Sequence, residues 1–378
     1  MLNVSPVPLL KSETPLSPGD RPQGQRISSL DGWRAVAILL VLGDHMLYTN
    51  NFPKATLPWW GAAFQGSLGV RIFFVLSGYL ITTLLFNEAG RNGRIDLKSF
   101  FTRRALRLLP VYYTFIITIA ALSLFSLYSD SVSSWIGAAT LTRNILGRGD
   151  SATVHFWSLA VEQQFYLLWP PIIALFSFWK NRTTALLFLL AIALSCPFIR
   201  TLAYQPFSSP HLWQRFLGPN SIIMHTDSLA IGCAGALLLP SMKTFISTNA
   251  RILLPGCVLA IIGIAQLQAV TFVGSVTRSI TLTLQAVSIM IAIYTSVTPS
   301  SPGHSFLNSS LMRWLGRLSY SLYVWHILFV GHFVGAKLGT SFLYDWRWWF
   351  IPALLVSIVS FYCVEMPALR LKTARFSK

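Results

Sequence analysis

One apolar stretch near the start of the chain carries two ionisable residues at a spacing that could do chemistry. Residues 30–50 read LDGWRAVAILLVLGDHMLYTN, with Arg34 near the beginning and the Asp44–His45 pair near the end. From Arg34 to His45 a helix makes roughly three turns plus about 20°, so both side chains project from one face, about 16 Å apart along the axis. An ionisable group at the centre of a membrane helix costs about 2.5–3.5 kcal/mol on insertion scales. Such groups usually face a protein interior or an aqueous cavity and mark functional sites. The plainer alternative is that Arg34 snorkels to the headgroups and His45 sits at the far interface. A histidine, whose ordinary pKa is about 6.5, suits general-base work.

Further polar groups recur in later apolar stretches. Arg103, Arg104 and Arg107 lie in FFTRRALRLLP, just before Pro110. Arginine at all three positions suits bidentate phosphate recognition. A basic loop also holds the inner face of a membrane against anionic lipid, and the two roles are compatible. In HFWSLAVEQQFYLLWP, residues 155–170, helical phase puts His155, Glu162 and Tyr166 on one face. A carboxylate there needs a partner or a proton, so an ion pair with an arginine is the structural alternative to a functional site. Ser319, Tyr323 and His326 recur as a stripe in LGRLSYSLYVWH, where interhelical hydrogen bonding is the expected job. Arg71, in GSLGVRIFFVLSGYLITTLL, needs an anionic partner or a water-lined site, and Asp44 is at a similar depth. Asp227 is expected to pair with a basic residue, and no role attaches to His211, His225, His304 or His332.

The elements that must position these groups follow from composition. Of 378 residues, 53% are hydrophobic and only 11% are charged. A soluble domain carries about 25% charged residues, so an all-α, polytopic membrane bundle is expected. Apolar segments of spanning length fall at 30–50, 68–87, 108–128, 157–178, 184–204, 221–240, 252–272, 280–298, 317–338 and 348–366. They predict about ten transmembrane helices in one membrane domain, 30–366. Residues 1–29 are proline-rich and lack an apolar run fit for a signal peptide, so they read as a disordered cytoplasmic tail. Residues 367–378 read as a basic cytoplasmic tail. The net charge of +17 is spread between apolar runs rather than along one stripe, which argues for positive-inside topology with both termini cytoplasmic and against nucleic acid. The four cysteines show no metal-type spacing, and neither a disulfide framework nor a metal site is expected.

Taken in order, LDGWRAVAILLVLGDH, GVRIFFVLSGYLIT, FFTRRALRLLP, HFWSLAVEQQFYLLWP, LGRLSYSLYVWH and VEMPALRLK resemble the acyltransferase 3 family of bacterial integral membrane O-acyltransferases. The resemblance runs from residue 30 to about 372, nearly the whole chain. It implies a cytosolic acyl-coenzyme A donor, most often acetyl-coenzyme A, and a carbohydrate or glycoconjugate acceptor reached from the outer face of the bacterial cytoplasmic (inner) membrane. It also implies that Arg34 and His45 are essential and that Arg103, Arg104 and Arg107 handle the donor. Two features depart from the family pattern. Position 71, often acidic there, is arginine here. Many members also continue into a C-terminal extracytoplasmic hydrolase-like domain, so this chain is expected to complete transfer alone or with a separate extracytoplasmic partner protein.

The expected mechanism binds the coenzyme A phosphates at Arg103, Arg104 and Arg107, with Arg34 orienting the donor or stabilising negative charge. The pantetheine arm runs up the bundle to His45, the general base on the acceptor hydroxyl. Asp44 points about 100° away from its neighbour, so Glu162 is the expected partner of His45. His155, Trp157 and Tyr166 are expected to touch the acceptor. The rival from another class is a secondary transporter or exporter with an Arg/His/Glu relay. Against it, no half-to-half repeat is visible, and the arginine cluster would have no task.

Overall fold

Inside a bilayer the backbone finds no hydrogen-bond partner but itself, so long apolar runs fold as helices. The computed structural model describes residues 28–57, 59–147, 151–203, 218–269, 274–330 and 341–376. The tail expected at 1–29 therefore lies outside the described residues as far as 27, while Ser28 and Ser29 already belong to the first helix. In chain order the long helices are α1 (Ser28–His45), α2 (Gly66–Asn92), α3 (Leu97–Leu124), α4 (Phe156–Phe176) and α5 (Arg182–Ala203). They continue with α6 (Ile222–Leu238), α7 (Ala250–Ala269), α8 (Ser275–Ser296), α9 (Ser310–Trp325) and α10 (Phe350–Ser360). A π-helical turn, Phe361–Glu365, carries α10 into α11 (Met366–Phe376), so most of the stretch expected as a basic tail is helical. That turn brings the buried Glu365 carboxylate to the Ser321 hydroxyl of α9 at 2.8 Å. No strand occurs among the described residues.

Eight of the described helices are long and apolar enough to cross a membrane. They coincide with eight of the ten expected segments. The other two segments, 30–50 and 317–338, correspond to α1 and α9, which have 18 and 16 residues. Residues 331–338 of the second lie outside the described residues. These are the segments that carry Arg34, His45, Arg317 and Tyr323, and their polar cargo is what lowers their apolar character. Burial compensates: α1 packs between α2 and α9, whereas α5 and α7 turn Leu187, Leu194, Phe198, Ile252 and Leu259 outward, as lipid-facing helices do.

Local chemistry fixes the ends and crossings. At the start of α3 the Asp96 carboxylate accepts from the Ser99 hydroxyl at 2.6 Å and the Ser99 backbone N–H at 3.0 Å. Those bonds hold the carboxyl of Asp96 below the usual carboxylate range. Helix crossings are made backbone to backbone, as expected where no hydrophobic drive exists between helices. A Cβ on Gly316 would lie 1.8 Å from the Asp31 carbonyl oxygen, so α9 sits directly on α1. Between α2 and α6 the contact is reciprocal: a Cβ on Gly78 would meet the Leu229 oxygen at 2.1 Å, and one on Gly232 the Val75 oxygen at 2.2 Å.

A Gly78→Ala substitution is therefore expected to lower stability by about 1–3 kcal/mol, because backbone atoms cannot step aside. Gly256→Ala, inside α7 where nothing lies within 4 Å, should leave stability unchanged or slightly raised. Thermal unfolding of the detergent-purified proteins checks the pair, and equal midpoints would refute the backbone contact.

Candidate active site

A cavity of about 740 Å³, mouth included, opens between α1, α2, α3, α4 and α9. Arg34, Arg104, Arg107 and Arg317 line it, against a single lining carboxylate, Glu162. Such a surplus of guanidinium in a partly enclosed space suits a polyanionic ligand. The Arg104 guanidinium lies over the rings of Tyr166 at 5.3 Å and Phe100 at 5.7 Å, which fixes its plane. Glu162 accepts hydrogen bonds from the hydroxyls of Ser77 and Tyr166, so its carboxylate is anchored to α2 as well as to its own helix. Ser158, Ser319, Tyr320 and Tyr323 complete the polar wall.

Above that wall lies a cluster of three histidines. His45 closes α1, and its Nδ1 is 2.9 Å from Nε2 of His326, with the rings stacked at 5.0 Å between centroids. His326 Nδ1 turns back to the carbonyl oxygens of Leu322 at 3.1 Å and Tyr323 at 2.8 Å. His155 Nε2 takes the next carbonyl, Val324, at 3.1 Å, and its ring stands edge-on to His326 at 5.4 Å. The carbonyls at the end of a helix run short of intrahelical donors. Leu322 takes the His326 backbone N–H, and two imidazoles supply further donors to Leu322, Tyr323 and Val324. The Tyr323 hydroxyl hydrogen-bonds to Ser158 Oγ and donates to the His155 carbonyl oxygen at 3.0 Å. Because Tyr323 and Ser158 also line the cavity, the histidine cluster and the arginine-lined space share one wall.

Several expectations are corrected by this geometry. The nitrogen of His45 meets His326, while Glu162 is held by Ser77 and Tyr166. His155 lies outside the cavity lining: it precedes α4 as its N-cap and turns its Nε2 to the Val324 carbonyl of α9. Trp157 lies outside the cavity lining and packs against His225 at 5.1 Å and Phe74 at 6.3 Å. Arg103 is likewise outside the lining: its Nη2 pairs with Glu88 of α2 at 3.2 Å. With Arg104 and Arg107 turned inward at i and i+3, Arg103 is carried about 100° from Arg104 toward the Glu88 side.

The Arg71–Asp44 pairing is replaced too. Arg71 Nη1 donates to the Leu282 carbonyl oxygen at 3.2 Å. Asp44 instead faces Gly66 at the N-terminus of α2, where exposed backbone N–H groups and the helix dipole favour an anion. Asp227 finds its basic partner in Arg200. Two residues gain a place that the spacing alone did not give them: Arg317 lines the cavity, and His326, expected only to make interhelical hydrogen bonds, meets His45. The stripe containing Ser319, Tyr323 and His326 was the available signal, and the proximity of α9 to α1 gives it meaning. Among the described residues, no three His, Cys, Asp or Glu side chains are placed to hold a metal ion.

Comparison with known proteins adds an independent line. The chain is 28% identical over 329 residues to the peptidoglycan O-acetyltransferase OatA of Listeria monocytogenes, covering 79% of this chain and 49% of that protein. It is 28% identical over 334 residues to the O-acetyltransferase OatA of Staphylococcus aureus, covering 81% of this chain and 51% of that one. The chain thus spans about half the length of the curated relatives it matches. No solved structure matches it. The family model described as an acyltransferase domain, Acyl_transf_3, aligns with residues 27–366, and the chain belongs to that acyltransferase 3 family.

Proposed function

We propose that this chain is a membrane-embedded O-acetyltransferase that takes the acetyl group of cytosolic acetyl-coenzyme A and esterifies a hydroxyl of a cell-wall carbohydrate. The observation that carries this reading is the shared wall: Tyr323 and Ser158 border both the four-arginine cavity and the cluster containing His45. The relatives' names, which specify peptidoglycan or O-acetyl transfer, support the acceptor class. The arginine-rich end of the bundle faces the cytoplasm, following the positive-inside rule, in a bacterial cytoplasmic membrane.

In this scheme Arg34, Arg104, Arg107 and Arg317 hold the phosphates and carbonyl of the donor, and the pantetheine arm follows the cavity toward His45. Glu162 fixes Tyr166, on whose ring Arg104 rests. His45 removes the proton of the acceptor hydroxyl as its oxygen bonds to the acyl carbon. The carbon–sulfur bond then breaks, and the departing thiolate takes the proton back from the imidazolium. No net proton is released.

The test is transfer from radiolabelled acetyl-coenzyme A by the reconstituted protein supplied with bacterial envelope extracts. Label is expected in a glycan component. No label in any component, from demonstrably folded protein, would defeat the reading. Arg104→Ala should raise the apparent KM for acetyl-coenzyme A about tenfold or more, the worth of a charge-assisted hydrogen bond. An unchanged KM would remove Arg104 from the donor site.

A further inference from the structure

The hydrogen bonds around His326 determine which nitrogen of His45 carries a proton. A carbonyl oxygen only accepts. His326 Nδ1 faces two of them, Leu322 and Tyr323, so Nδ1 carries the hydrogen. In the neutral ring the lone pair is then on Nε2, and that atom faces His45 Nδ1 at 2.9 Å. His45 must therefore donate from Nδ1, and its proton-free nitrogen is Nε2. An isolated histidine side chain in water prefers the opposite form, with the proton on Nε2.

We infer that His326 is a positioning residue that locks His45 in its Nδ1–H tautomer and so bares Nε2 toward the acceptor hydroxyl. The inference rests on the reading of His45 as general base. The lock is rigid because its far end is the backbone of α9, which cannot rotate as a carboxylate side chain can. His326 is 0% exposed, which keeps water from competing for the bond. The groups facing the pair are Tyr48, Tyr323 and His155, with ring centroids 6.3 Å from His45, 5.7 Å from His326 and 5.4 Å from His326 respectively. None of the three is an ordinary anion. Asp44, the nearest carboxylate in the chain, is turned to Gly66. An imidazole thus occupies the place a carboxylate takes in a Ser-His-Asp triad, and it acts on the tautomer rather than by adding negative charge.

His155 obeys the same rule with a different result. Its Nε2 donates to the Val324 carbonyl, so the lone pair is on Nδ1, which is buried without a hydrogen-bond partner among the described residues. His155 can therefore pack the edge of His326 without offering it a competing proton.

The experiment is nitrogen-15 NMR of histidine-labelled protein in lipid, with His45 assigned by its loss in His45→Ala, together with acetyl transfer. Wild type and His326→Gln, whose amide oxygen can still accept from His45, are expected to show a protonated Nδ1 and a bare Nε2. In His326→Leu the proton is expected to move to Nε2, while kcat falls by about 10²- to 10⁴-fold and the KM for acetyl-coenzyme A stays unchanged. His326→Gln is expected to keep transfer within about tenfold of wild type.

A wild-type His45 protonated on Nε2, or a His326→Leu protein with an unaltered His45 signal, would overturn the inference. So would His326→Gln that keeps the tautomer but loses transfer. Wild-type protein that shows the expected tautomer but moves no acetyl group would instead overturn the acyltransferase reading, leaving the hydrogen-bond assignment standing.

Discussion

Acetyl transfer by the His45→Ala protein is expected to fall by about 10²- to 10⁴-fold, the usual contribution of a positioned general base, with acetyl-coenzyme A binding unchanged. The separation follows from geometry. His45 closes α1, and its side chain meets His326 and the ring of Tyr48, whereas the arginines of the cavity are set along α1, α3 and α9. Removing the imidazole deletes a hydrogen bond at the end of a helix but leaves the crossings of α1 with α2 and α9 intact, so the fold should survive. The wild-type rate should rise with pH until the base is deprotonated, and the residual rate of the variant should lose that rise. Single-turnover transfer beside equilibrium binding of the donor measures both quantities. Near-native turnover by the variant would show that another group takes the proton.

The bundle was legible because its signal is composition and length. Each spanning helix is a long apolar run, and a bilayer permits little else. That Arg34 and His45 belong to one helix was legible for a similar reason, since one apolar run carries both. What could not be read is anything that depends on which helices are neighbours. His326 lies 281 positions from His45. Its role appears only once Gly316 is seen to let α9 press against the Asp31 backbone of α1.

The rotation of a helix about its own axis is equally hidden. The three arginines of α3 are one pattern in sequence, yet Glu88 captures Arg103 while Arg104 and Arg107 turn to the cavity. His155, at the N-cap of α4, is held by the Val324 carbonyl of α9, a partner 169 positions away that phase along α4 could not reveal. Glu162 was legible as a group needing partners, but those partners are two hydroxyls, one of them on another helix.

The largest stability effect is expected at a site apart from the chemistry. Arg200 of α5 and Asp227 of α6 form an ion pair whose side chains are 1% and 0% exposed. The pair is well provided: Thr283 of α8 donates to Asp227 Oδ2 at 2.6 Å, and Arg200 Nη1 donates to the Ser279 carbonyl at 3.0 Å. Three helices are joined at one point. Arg200→Leu leaves a carboxylate buried without its cation, and Asp227→Leu leaves the converse, so each single variant should lose about 3–5 kcal/mol. The double variant Arg200→Leu/Asp227→Leu removes both charges of the pair and should recover part of that loss, since apolar replacement of a buried pair is often close to neutral. The buried Arg71, whose charge also acts on Asp227, stays in place. Thermal unfolding of all four proteins in one detergent completes the cycle. Because α6 is the helix that meets α2 through Gly78 and Gly232, and α2 carries Ser77 beneath Glu162, the single variants should lose transfer as they unfold. At temperatures below their transitions the folded fraction should keep the wild-type KM for acetyl-coenzyme A. A double variant no more stable than the singles would mean that the shape of the pair, rather than its compensated charge, holds α5, α6 and α8 together.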